Sequence, residues 1–148
     1  MSRLSDVPIH TRLKLSLLWV STVFCYIYCD YFELYIPGKL QGMLQGRMAP
    51  LGTVTQGTLV GTSLLLAIPS LMIFLSVVLR PAISRSLNLV FGVLYTLMMA
   101  MLAVQADWYF YQGFALIEAL LTALVVWYAW TWPKAATAIE PVASDAAS

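Results

Sequence analysis

The chain has 148 residues, 61% of them hydrophobic and 10% charged, with a formal net charge of +1. Soluble domains carry about 25% charged residues, so an ordinary globular protein is excluded, and no basic stripe is present to meet nucleic-acid phosphates. The only cysteines are Cys25 and Cys29 and the only histidine is His10, which excludes a disulfide framework, a Cys/His metal set and bis-histidine haem ligation within one chain.

Apolar runs of about 20 residues can cross a hydrocarbon core about 30 Å thick. Four are present, at about 14–36, 55–79, 87–106 and 108–132. The expected architecture is all-α: one four-helix transmembrane bundle over 1–134, with a short interfacial helix between spans one and two. Residues 1–13 form a polar lead-in. The run after Lys14 is too long for a cleaved signal and lacks a small-residue cleavage site, so it reads as the retained first span. Tyr26, Tyr28, Tyr31 and Tyr35 crowd its end as an interfacial belt, and Pro37-Gly38 stops it.

From Lys39 to Met48, Leu40, Met43, Leu44 and Met48 share one helical face, the pattern of a weak amphipathic helix lying in the interface. Ala49-Pro50-Leu51-Gly52 reads as a turn. Span two carries Gly57-x-x-x-Gly61, a spacing that lets helices approach closely, and Pro69, which frees a backbone carbonyl. Arg80 to Ser86 reads as a short basic loop. Met98, Met99 and Met101 in span three read as flexible packing surface. A tight turn at Gln105-Ala106-Asp107 leads into span four, which Pro133 and Lys134 close. The Ala/Ser-rich tail, 135–148, has no apolar period and reads as a disordered cytoplasmic tail. Lysine and arginine set orientation: one side receives Arg3, Arg12, Lys14, Arg80, Arg85 and Lys134, the other Lys39 and Arg47. Both termini are therefore expected in the cytoplasm of a bacterial inner membrane.

The residues with chemical interest are carboxylates inside apolar runs, where an acid costs roughly 2.5–3.5 kcal/mol on insertion scales. At about 100° per residue, Trp19, Tyr26, Asp30 and Glu33 share one face of span one. Asp107, Tyr111, Phe114, Glu118 and Thr122 share one face of span four. Asp30 is expected about 10 Å below the outer end of its span and Glu118 about 15 Å below Trp108, at similar levels. The expectation is a polar pocket open to the outside in which Asp30 and Glu118 face each other, with Tyr26 and Tyr111 as hydrogen-bond donors. A protonatable acid there suits a proton-coupled carrier or a cation site. Against this, Asp30 and Glu118 read equally as interhelical hydrogen-bonding groups. Glu33 and Asp107 read as interfacial acids, hydrated or paired with Lys39 and Arg47. Cys25 and Cys29 read as small packing residues.

From Arg12 to Lys134 the chain resembles an uncharacterised family of small bacterial four-span membrane proteins. The matching stretches include Lys14-Leu15-Ser16-Leu17-Leu18-Trp19, Tyr26-Ile27-Tyr28-Cys29-Asp30, Tyr35-Ile36-Pro37-Gly38, Ile68-Pro69-Ser70-Leu71-Met72 and Trp127-Tyr128-Ala129-Trp130-Thr131-Trp132-Pro133. The chain departs from that pattern at Cys29, where a small residue such as alanine is expected, and around Ser84–Leu87, which lack an expected tryptophan. The resemblance implies four spans and no activity.

Two functions follow as expectations. One is a small proton- or cation-linked carrier working through its buried carboxylates. The other is a non-catalytic accessory or scaffold subunit of a membrane complex. No nucleophile set can be assembled, since His10 lies far from the acids, so no enzyme is expected, and neither a metal nor a cofactor. The implied partners are the lipid bilayer and, because four helices leave little room for a pore, further copies of the chain or a membrane partner protein.

Overall fold

A computed structural model describes residues 8–48 and 51–133. The expected polar lead-in before Pro8, the Ala49-Pro50 half of the turn, Lys134 and the 135–148 tail lie outside the described residues. The elements in order are α1 (Thr11–Glu33), α2 (Lys39–Leu44), β1 (Arg47–Met48), β2 (Gly52–Thr53), α3 (Gln56–Val78), α4 (Pro81–Gln105) and α5 (Tyr109–Trp130). Four of them, α1, α3, α4 and α5, are long and apolar enough to cross a membrane. The all-α bundle expected from the apolar runs is what forms.

Short links make neighbouring helices antiparallel. α4 and α5 share the most extensive contact, α1 packs on both α5 and α3, and α3 meets α4 only lightly. The bundle therefore has an end holding the start of α1 and the α3–α4 link, here called the arginine end. The opposite end carries α2 and the β-ribbon and is called the hairpin end.

Helix boundaries differ from the sequence expectation most at the start of α4 and at both ends of α1, which begins at Thr11 instead of Lys14. α4 starts at Pro81, not Leu87, so the expected basic loop is helical. Proline is well placed there, because the first turn of a helix has no use for its missing N–H and its φ is already helical. α1 ends at Glu33, not Ile36. Leu34, Tyr35 and Ile36 instead donate to carbonyls three residues back, over 3.0–3.3 Å. This tightening precedes Pro37, which disfavours helix in the residue before it. Gly38, at φ 79°, then turns the chain into α2.

The expected helix over Lys39–Met48 is six residues long, Lys39–Leu44, with none of them buried. Its remainder forms a two-stranded antiparallel ribbon, Arg47 opposite Thr53 and Met48 opposite Gly52. Two glycines in ten residues left the helix too weak to continue.

The core is densest towards the arginine end. Trp19 is fully buried and donates through Nε1 to Asn88 Oδ1 over 2.8 Å. The Asn88 amide donates to Ser84 O at 2.8 Å and to Ser76 Oγ at 3.1 Å, while Ser84 Oγ donates to Ser76 O at 3.0 Å. All of these side chains are buried, and together they tie α1, α3 and α4 through one satisfied polar network. Two arginines close the helix ends beside it. Arg12 Nη1 donates to Val77 O at the end of α3 over 3.1 Å, and Arg85 Nε donates to Ala129 O near the end of α5 over 3.0 Å. Each cation meets carbonyls that have no partner within their own helix, at the negative end of its dipole.

Close approach comes from Gly92. A Cβ there would stand 2.8 Å from Val126 Cγ2 and 3.3 Å from Val125 Cγ1, so α4 and α5 touch because Gly92 has no side chain. The Gly57-x-x-x-Gly61 motif, expected to play this part, does not. Nothing lies within 4 Å of a Cβ at Gly61. No residue from Gln56 to Leu66 is buried, and α3 joins the core through its second half, burying Pro69, Met72 and Ser76 with Ile68, Ile73 and Leu75 packed beside them.

Candidate functional site

Glu118 lies near the middle of α5, about 13 Å along the helix from Tyr109 at 1.5 Å per residue. It is 3% exposed. The helix presents Ala115, Glu118, Thr122, Val125 and Ala129 to the core, a spacing of three and four residues that defines one buried stripe. Below Glu118 the stripe is satisfied: Thr122 Oγ1 donates to Glu118 O over 2.8 Å, and Thr96 Oγ1 lies 2.9 Å from Thr122 Oγ1. The Glu118 carboxyl is not. Its buried Oε1 finds no hydrogen-bond partner among the described residues.

The same is true of one other group in this part of the bundle, the buried hydroxyl of Tyr26. α1 and α5 run antiparallel, and the Phe32 and Phe114 rings meet with centroids 6.5 Å apart. That register brings Glu118, one turn beyond Phe114, level with the Tyr26–Cys29 turn of α1. Tyr26, Cys25, Cys29 and Asp30 all lie within Coulombic reach of the Glu118 carboxyl. No lysine, arginine or histidine is in this group.

Asp30 is placed differently from the expectation. It shares the level of Glu118, within about a turn, but it is exposed. The first half of α3, at the same end of the bundle, has no buried residue either. Asp30 is about 4.5 Å from the last residue of α1 by helical rise. Tyr111 is half-buried, within reach of Cys29, Glu33, Asp30 and Glu118. No hydrogen bond joins Asp30, Glu118, Tyr26 and Tyr111 among the described residues. Of the interfacial acids, Glu33 pairs with Lys39, while Arg47 turns to the Gln45 side chain instead of Asp107.

One surface hollow lies beside Lys14 and Tyr128, a second between the end of α1 and the start of α5. Neither acid lines them, so Asp30 and Glu118 do not face each other across either hollow. The second hollow is lined by Phe32, Tyr35, Ile36, Trp108, Phe110 and Phe114. Of these, the sequence assigns Tyr35 to the interfacial belt of span one and Phe114 to the Glu118 face of span four. The signal for a hollow is only that aromatic residues, Tyr26–Tyr35 and Trp108–Tyr111, crowd the same end of adjacent helices. Tyr35 is held by Tyr31, whose hydroxyl is 2.9 Å away, and this hydrogen bond raises the Tyr35 phenol pKa.

The site can hold or release a proton at a buried carboxyl, beside a phenol, in surroundings without a fixed positive charge. Among the described residues no set of three or more His, Cys, Asp and Glu side chains is arranged to hold a metal ion.

Four membrane-capable helices around a polar-tied core define a multi-pass membrane protein. Residues 8–139 match a family described as "Family of unknown function (DUF6326)", and the chain belongs to it. No curated protein and no solved structure matches the chain.

Proposed function

We propose that the protein is a small proton- or cation-linked carrier of the bacterial inner membrane in which Glu118 is the group that binds the proton or cation. The observation that carries this reading is the pairing of burial with dissatisfaction at one carboxyl. Leaving a buried polar atom without a partner costs about 1–3 kcal/mol, more for a charged one. A structural acid recovers that cost through a hydrogen bond, and the residues of the Asn88 network do so. Glu118 Oε1 and Tyr26 Oη do not. Asp30 is exposed at about the same level, three residues further into α1 than Glu33.

The distribution of basic residues supports an orientation with the arginine end, and so both termini, in the cytoplasm. The carrier reading is tested by proton flux in proteoliposomes, comparing the natural chain with Glu118→Gln.

The unpacked first half of α3 favours a second reading. Gly57 and Gly61 offer a small-residue face that no other helix covers among the described residues, which suits docking of another membrane helix. On that reading the protein is a non-catalytic accessory or scaffold subunit, and purification in mild detergent yields a stoichiometric partner.

A further inference from the structure

The hollow between the end of α1 and the start of α5 has a volume of about 400 Å³, and five of its six lining side chains are aromatic: Phe32, Tyr35, Trp108, Phe110 and Phe114, with Ile36. That volume falls within the range of small-molecule sites. Aromatic rings present a negative π face, so a hollow walled by them attracts a cation that has little hydration to lose. The wall has no carboxylate or carbonyl cluster to replace the water of a hard metal ion.

The charges of the molecule point the same way. All four acids among the described residues, Asp30, Glu33, Asp107 and Glu118, belong to the hairpin half, whereas Arg12, Lys14, Arg80 and Arg85 gather at the other end. Of the two hairpin-end cations, Lys39 is engaged by Glu33 and Arg47 by the Gln45 side chain. Asp107, exposed and directly before Trp108, makes no ion pair among the described residues, and neither does Asp30. An anion is repelled here, and a neutral solute gains nothing from the acids.

We propose that this aromatic hollow binds an organic cation of the quaternary-ammonium type, taken from solution at the hairpin side and held between the ring faces next to Asp107. Phe114, which lines the hollow, stands one turn from Glu118 on α5. As the substrate class of the carrier, this inference rests on the reading of Glu118 given above; as a binding site, it stands without it.

The test uses the full chain in nanodiscs of phosphatidylethanolamine and phosphatidylglycerol, titrated by calorimetry with benzyltrimethylammonium and with neopentylbenzene, its neutral isostere. Saturable binding of the cation is expected, weakened about tenfold or more in Trp108→Leu, which keeps apolar bulk but removes the π face. Asp107→Asn is expected to weaken it severalfold. Trp130→Leu, an exposed residue at the opposite end, is expected to bind as the natural chain does. Absence of saturable binding at millimolar cation overturns the proposal. So does equal saturable binding of the neutral isostere, or unchanged affinity in a folded Trp108→Leu. Displacement of the cation by phosphatidylcholine in the disc assigns the hollow to a lipid headgroup and overturns the solution source. Binding that stands while proton flux is absent leaves the site and removes the carrier reading, so the two failures are distinct.

Discussion

The hydroxyl of Tyr95 on α4 donates to the backbone carbonyl of Leu65 on α3. That carbonyl is the one Pro69 leaves free, since a proline has no N–H to return to the residue four before it. Pro69 sits inside an otherwise continuous helix. Tyr95 thus repairs a defect that the proline makes, and its ring packs edge-on against Trp19 at 5.9 Å. Tyr95→Phe is expected to cost about 1–3 kcal/mol by orphaning the Leu65 carbonyl. In a Pro69→Ala background the N–H of residue 69 can take that carbonyl, so the same change is expected to cost much less. A double-mutant cycle in thermal stability measures the difference; additive losses contradict the relationship.

Gly92 and Gly61 make a second, opposed pair of predictions. Gly92→Ala places a methyl 2.8 Å from Val126 Cγ2, and overpacking of this kind costs about 1–3 kcal/mol. Val126→Ala in the same chain is expected to recover most of that loss. Gly61→Ala meets nothing within 4 Å, and alanine favours helix over glycine by about 1 kcal/mol. Its melting temperature is expected to stay level or rise. A fall at Gly61 larger than that at Gly92 reverses the assignment of which glycine holds the bundle together, and would point to contacts between chains at α3.

Asn88 anchors the network at the arginine end, so its loss should be felt beyond its own volume. Asn88→Leu strands the Trp19 indole N–H, and the expected loss of about 2–4 kcal/mol reflects two or more buried groups left unpaired. Trp19→Phe in that background is expected to cost less than in the natural chain, because the indole then has no bond to lose. Urea or thermal unfolding in detergent checks both. Equal costs of Trp19→Phe in the two backgrounds contradict the coupling.

Orientation is open to direct chemical mapping. With Cys25 and Cys29 replaced by alanine, Asp107→Cys is expected to react with a membrane-impermeant maleimide in intact cells, and Arg80→Cys only after the membrane is permeabilised. The reverse pattern puts the termini outside.

Much of this architecture was legible in the residues alone. Uninterrupted apolar length identified four spans, because the bilayer constrains length before it constrains packing. Glu118 stood out for the same reason, as an acid with no basic neighbour in an apolar run. What stayed hidden depended on facing and contact. Pro81 reads equally as a loop residue or as the first residue of a helix, and only the packing of Ser84 and Asn88 on Ser76 decides. Asp30 shares a helical face with Tyr26, yet Tyr26 is buried and Asp30 is exposed. Gly92 has no motif around it, whereas Gly57-x-x-x-Gly61 has one and meets no other helix among the described residues. Periodicity places a residue on a face; whether another helix covers that face depends on the whole bundle.

The measurement that bears most directly on the account is proton movement through the natural chain and through Glu118→Gln, each reconstituted in proteoliposomes loaded with a panel of inorganic and organic cations. Glutamine keeps the shape of the side chain and removes the titratable group, so the variant is expected to fold with an unchanged melting temperature. The natural chain is expected to take up protons against the outward gradient of at least one cation. Glu118→Gln is expected to abolish that uptake, while Asp30→Asn slows it. A folded Glu118→Gln that moves protons as fast as the natural chain, or a natural chain that moves none with any cation, contradicts the role given to Glu118.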